Sequence, residues 1–140
     1  MKSLVVDDDF VSRKIIQNFL LKHGEVDIAT DGKEAINAYV IALNEHKPYN
    51  LICLDIMMPG INGKEVLRTI KNLEEKNLKL IDKRVKIIMT SSLDSSENIL
   101  GAFKDQAAGY LIKPITLEKF NDTLDKIGVV EKKYSVKNSD

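Results

Sequence analysis

The stretch Leu51–Gly63, LICLDIMMPGING, decides how the chain reads. Four apolar residues, Leu51 to Leu54, run without a polar break into one carboxylate, Asp55. Pro59, Gly60 and Gly63 then mark a loop. A short, continuously apolar run bounded by turn residues reads as a strand buried on both faces, here NLICLD over 50–55. Such strands belong to parallel sheets covered by helices.

Outward from that strand, apolar runs and helical patterns alternate. KSLVV (2–6) reads as a first strand. Val11, Ile15, Ile16, Phe19 and Leu20 recur at three-to-four spacing, which predicts an amphipathic helix over 10–23 ended by Gly24. VDIAT (26–30) is the second strand, and Asp31 with Glu34 is spaced as a capping pair for a helix to about residue 46, closed by Pro48. KEVLRTIKNLEEKN (64–77) is a helix with a charged face, and RVKIIMT (84–90) is the fourth strand. Asp94 and Glu97 form another capping pair for a helix within 93–103. GYLIK (109–113) is the fifth strand, and Thr116 caps a last helix over 117–127. Five such units predict an α/β fold, a doubly wound (βα)5 three-layer sandwich with a five-stranded parallel sheet. The strand order 2-1-3-4-5 is taken by analogy from one of the two common doubly wound orders. The domain is expected over 1–128, with VVEKKYSVKNSD (129–140) as a solvated tail. NLKLIDKR (77–84) is a longer connector than these units usually need.

At 140 residues and 44% apolar, one domain with a real core is expected. Lys plus Arg (21) balances Asp plus Glu (21), so the chain lacks the basic footprint of a nucleic-acid binder. No apolar run approaches the ~18 residues of a membrane helix, and acids from residue 7 break any signal-peptide pattern. The single cysteine, Cys53, lies in an apolar strand and reads as a small core residue, which suits a reducing, cytoplasmic setting. His23 and His46 are far apart near predicted helix ends, a solvent-facing placement and not a zinc pair.

Ligands of open parallel sheets bind beyond the carboxyl ends of the strands. The first strand ends in Asp7, Asp8 and Asp9, the third in Asp55, the fourth in Thr90 followed by Ser91 and Ser92, and the fifth in Lys113-Pro114. With strands one and three as neighbours, acids, a hydroxyl and an ammonium collect at one edge. Asp9 stands where the first helix begins, with Ser12 three residues on, so it reads as a helix-start residue and not as a ligand.

LVVDDD, LICLDIMMPGING, KIIMTSS and GYLIKP, in this order and spacing, resemble the receiver domain of bacterial response regulators, the CheY-like family, over roughly residues 1–128. The resemblance implies a two-component phosphorelay: phosphoryl transfer from a phosphohistidine on a histidine kinase, or on a histidine phosphotransfer protein, to Asp55. It implies Mg2+ held by Asp8 and Asp55, by Asp7 through water, and by the backbone carbonyl of Met57. Lys113 would place a charge on the phosphoryl oxygens. Thr90 would follow the new phosphate and, with Tyr110, form a switch in which the ring swings inward. Lys113-Pro114 resembles the family's cis peptide. Signalling would run through protein contacts on the fourth helix, fifth strand and fifth helix, roughly 95–127, with a phosphorylation-dependent dimer as an option. With nothing recognisable after residue 128, the chain reads as a stand-alone receiver, a phospho-acceptor and not an enzyme with an external substrate. Met57 and Ser92 hold the positions that tune dephosphorylation in the family, and an apolar Met57 is expected to shield the phosphorus from water.

Three other readings fit less well. A haloacid-dehalogenase-like phosphohydrolase would carry its nucleophile on the first strand as Asp-x-Asp, then a small residue and Thr. Here Phe10-Val11-Ser12 follows the acids, and Pro-Ile-Thr follows Lys113 where that family needs an acidic pair. A flavodoxin-like binding module would want a Gly- and Ser/Thr-rich loop after the first strand. A pseudo-receiver would keep the fold without phosphorylation, against which the complete acceptor set argues.

Overall fold

The computed structural model describes residues 1–93 and 96–130. Five strands, β1 (Lys2–Val6), β2 (Glu25–Ala29), β3 (Leu51–Asp55), β4 (Lys86–Ser91) and β5 (Gly109–Ile112), alternate with five helices, α1 (Phe10–Leu20), α2 (Gly32–Asn44), α3 (Gly63–Lys76), α4 (Ser96–Lys104) and α5 (Leu117–Ile127). The sheet is parallel throughout and ordered β2-β1-β3-β4-β5, as expected.

Side chains alternate across each strand, which builds one core on each face. Leu4, Val6, Ile52, Leu54, Ile87 and Met89 point toward α2 and α3, onto Tyr39, Leu43, Leu67 and Ile70. Val5, Leu51, Cys53, Ile88 and Leu111 point to the other face, onto Ile16 and Leu20 of α1 and Phe120 and Leu124 of α5. The Phe19 and Phe120 rings tilt together at 5.5 Å and join those two helices. Burial pushes the Cys53 thiol up to about 12, so it is a core residue and not a nucleophile.

The helix starts follow their caps. Asp9, Asp31, Asn62 and Thr116 each accept a hydrogen bond from the backbone N–H three residues on. Glu34 completes the second cap by accepting from Thr30 N–H. Asp94, proposed to cap α4, lies outside the described residues, as do residues 131–140 of the expected tail.

Several boundaries differ from the sequence reading. The first helix ends at Leu20, and 21–23 is a single 3-10 turn that delivers the chain to β2 through Gly24. His23 is half-buried there, not solvent-facing, while His46 is exposed. Strand β2 begins and ends one residue earlier than expected, because Lys2 to Val6 pair with Glu25 to Ala29. Strand β4 starts at Lys86, the partner of Leu51, and runs on to Ser91. Lys113 stands just past β5 and not within it. Val129 and Val130, expected in the tail, pack on the α1–α5 core. The connector 77–84 contains a 3-10 turn, Leu78–Leu80, at the edge of the sheet opposite Asp55.

Candidate functional site

Register brings the strand ends together. Val6 pairs with Leu54, so Asp7 falls beside Asp55, and Asp55 pairs directly with Thr90. Ser91 pairs with Ile112, which carries Lys113 to the same edge. Carboxylate oxygens of Asp7, Asp8 and Asp55 lie within 4.8 Å of one another, with Asp7 and Asp55 buried and Asp8 exposed. Lys113 Nζ donates to Asp7 Oδ2 at 2.9 Å and lies 3.4 Å from Asp55 Oδ1.

Lys113 is the cation at the carboxylate oxygens of this three-acid group, and the charges show it. Burial, then the neighbouring Asp7 charge, pushes the Asp55 carboxyl up to about 6, although Lys113 pulls the other way. Lys113 is shifted upward: burial works against its charge, but the Asp7 hydrogen bond and the Asp55 charge outweigh it. Asp9 lies lower than an ordinary carboxylate, chiefly because it accepts the Ser12 backbone N–H, which fits a helix cap and not a ligand.

The remaining predicted residues surround this group. Thr90 is buried, and its Oγ1 has no hydrogen-bond partner among the described residues, although it adjoins Asp55 in the ladder. A buried hydroxyl without a partner costs free energy and invites an acceptor. Tyr110 is half-buried, and its hydroxyl donates to the Leu93 carbonyl at 2.7 Å, in the loop after β4. Ser92 is exposed, whereas its neighbour Ser91 is buried and accepts from Leu93 N–H. Met57 is 61% exposed, while Met58 beside it is buried. The Lys113-Pro114 bond is cis.

Two residues of the site escaped the sequence reading. Gly63 sits so close behind the acceptor strand that a Cβ there would lie 2.2 Å from the Asp55 carbonyl oxygen. Its N–H donates to Ile56 O at 2.9 Å and folds the β3–α3 loop back on itself. Arg13 donates from Nη1 to the Asp7 carbonyl at 2.8 Å. The glycine was legible only as a loop marker, and the arginine as one more charge on a helix.

The donor set is all oxygen and carries three negative charges, which suits a hard divalent cation such as Mg2+ better than zinc or copper. What the arrangement offers chemically is a buried nucleophilic carboxylate with positive charge and a hydroxyl donor to either side.

Comparison with known proteins agrees. Residues 3–125 match the family described as the response regulator receiver domain. The regulatory protein VanRB of Enterococcus faecalis is 31% identical over 137 residues, which is 95% of this chain but 56% of VanRB, so the chain spans about half the length of that relative. The chemotaxis protein CheY of Bacillus subtilis is 30% identical over 125 residues, 88% of this chain and 93% of CheY. Among solved structures, the receiver domain of the Arabidopsis thaliana histidine kinase CKI1, complexed with Mg2+ and BeF3−, superimposes with a TM-score of 0.77 at 30% identity, covering 90% of this chain and 88% of that one.

Proposed function

The chain belongs to the response regulator receiver family, and on that footing we propose that it accepts a phosphoryl group on Asp55 from a phosphohistidine of a partner kinase or phosphotransfer protein. The observation that carries the reading is the convergence, at one sheet edge, of a buried carboxylate, two further acids, a lysine and a buried hydroxyl with no partner among the described residues.

In this step an Asp55 carboxylate oxygen attacks phosphorus in line with the leaving imidazole nitrogen. A P–O bond forms, the P–N bond breaks, and the imidazole keeps the electron pair. Phosphoryl transfer asks the protein for positioning and charge neutralisation more than for covalent chemistry. Asp55 is held by its pairing with Thr90 and by the Gly63 turn behind it. Lys113 already spans Asp7 and Asp55 and shifts onto the phosphoryl oxygens as they arrive. Thr90 Oγ1, without a partner among the described residues, turns its donor to the same oxygens. Tyr110 then stays with the Leu93 carbonyl, so the β4–α4 loop and the ring move as one switch. Asp8 and Asp55, with the Met57 carbonyl, would hold Mg2+ directly, and Asp7 through water. Bound there, Mg2+ supplies positive charge to the phosphoryl group and offsets the repulsion among the acids.

The apolar Met57 side chain keeps ordered water away from the phosphorus and so lengthens the life of the aspartyl phosphate. Output passes through protein contacts on α4, β5 and α5, where Leu100, Phe103 and Ile112 are exposed. The setting is the cytoplasm. The haloacid-dehalogenase reading gains no support, since Pro114, Ile115 and the α5 cap Thr116 occupy the place of its acidic pair.

Incubation with acetyl phosphate and Mg2+, followed by intact mass, tests the proposal. One phosphoryl adduct is expected for the wild type and none for Asp55→Asn. No adduct in the wild type, or equal adducts in both, contradicts it.

A further inference from the structure

Two cations reach the acidic edge by different routes. Lys113 binds carboxylate oxygens of Asp7 and Asp55. Arg13 binds the backbone: its Nη1 donates to the Asp7 carbonyl at 2.8 Å. That carbonyl lies past the last paired residue of β1, since both ladders end at Val6, against Ala29 on one side and Leu54 on the other.

Asp7 is thereby held at four points. Its N–H donates to Ala29 O, its carbonyl accepts from Arg13, its Oδ1 accepts from Asp9 N–H, and its Oδ2 accepts from Lys113. Asp8 is the reverse case: it is exposed, and no hydrogen bond or ion pair ties its carboxylate among the described residues. What aims Asp8 is the peptide plane that joins it to Asp7, and Arg13 grips the oxygen of that plane. Arg13 is itself constrained at both ends. Its N–H donates to Asp9 O in the first turn of α1, and its guanidinium lies 5.5 Å from the Phe10 ring centroid.

We propose that Arg13 is a positioning residue for the cation site: by holding the Asp7 carbonyl it fixes the Asp7–Asp8 peptide and keeps Asp8 in reach of Asp7 and Asp55. The inference rests on the reading of this edge as a Mg2+ site. Outer groups that orient the ligands typically change metal affinity by about 10–100-fold when removed.

The sign of the effect separates positioning from charge. A guanidinium beside a divalent cation repels it, so on charge alone its removal tightens binding. On positioning, removal weakens binding. Mg2+ titration of the full chain, followed by amide chemical shifts of Asp8 and Asp9, reads this directly. Arg13→Met keeps an apolar stem against Phe10 but loses the charge and the donor. It is expected to raise the Mg2+ Kd about tenfold, the low end for loss of an outer-sphere partner. Arg13→Lys keeps the charge without the planar fork and is expected to lie between Arg13→Met and wild type. An unchanged or lower Kd in Arg13→Met overturns the inference. Should that variant fail to fold, a wild-type Kd in Arg13→Lys overturns it. A wild type that binds no Mg2+ overturns the site reading, and this inference with it; binding by the wild type with unchanged variants overturns the inference alone.

Discussion

Asp55 and Glu74 are both buried carboxylates, 3% and 1% exposed, and they are furnished in opposite ways. Glu74 continues the inner face of α3 behind Val66 and Ile70, at four-residue steps. Its Oε2 accepts from Val85 N–H at 2.6 Å, and its Oε1 lies 3.2 Å from Lys71 Nζ and 3.9 Å from Arg84. Lys71 also donates to the Val85 carbonyl at 2.9 Å, so α3 holds both polar groups of the residue that leads into β4. Arg84 pairs with Glu75 as well, closing the network. Among the described residues Asp55 has Lys113 alone, at 3.4 Å, and that lysine sits closer to Asp7. At one edge of the sheet a buried charge is completed and fastens a connector. At the other, a buried charge is left incomplete, which raises its proton affinity and leaves room for a cation and a phosphoryl group.

Removing each carboxylate should therefore act in opposite directions, and the larger effect belongs to Glu74. Glu74→Ala leaves Lys71 and the Val85 N–H without their buried acceptor and should cost about 3 kcal/mol in urea denaturation. A cost below about 1 kcal/mol, the scale of an exposed ion pair, would break the contrast.

Next in size is the cation itself. At about ten times its Kd, Mg2+ should stabilise the wild type by roughly 1.4 kcal/mol, visible as a higher melting temperature. Asp8→Ala should abolish that gain, and a retained gain would remove Asp8 from the site.

A shift of opposite sign to that of Glu74→Ala is expected for Asp55→Asn without metal. The folded Asp55 carboxyl titrates near 6 against an ordinary value of 3.8, so the fold binds its proton more tightly than the unfolded chain does. Its contribution is fully present below about pH 4 and is lost as pH rises through about 6. In chelator at pH 7, Asp55→Asn should melt above the wild type, and the two should converge at pH 4. A variant that melts lower at pH 7 would mean that Asp55 is as well satisfied as Glu74.

The smallest effect concerns Met57. Met57→Asn places a polar group where water would approach the phosphorus, and the aspartyl phosphate should decay faster, by about fivefold for each kcal/mol of barrier lost. An equal or longer lifetime in the variant would dismiss the shielding role.

The same contrast explains what the sequence made legible. Asp7, Asp8, Asp55, Thr90 and Lys113 each lie at or just past the end of an apolar strand, and a parallel sheet converts that one-dimensional regularity into a shared edge. The strand order came only by analogy, because no local signal states which strands pair. Glu74 was hidden in KNLEEKN, where it looks like one more charge on a solvated face, although its spacing from Val66 and Ile70 places it inside. Arg13 and Gly63 act on backbone atoms of Asp7 and Asp55, contacts that no side-chain pattern announces. The end of α1 was missed because Gly24 marks a stop, whereas the three residues before it form a 3-10 turn and the apolar stripe already ends at Leu20.

The account turns on Asp55 being a buried carboxylate whose charge is incomplete until a cation arrives. Carboxyl 13C NMR titration of Asp55, in chelator and in saturating Mg2+, tests this most directly. Without metal the group should titrate near 6, and with Mg2+ it should fall below the ordinary carboxylate value. An ordinary value without metal, or one that Mg2+ leaves unmoved, would contradict the account.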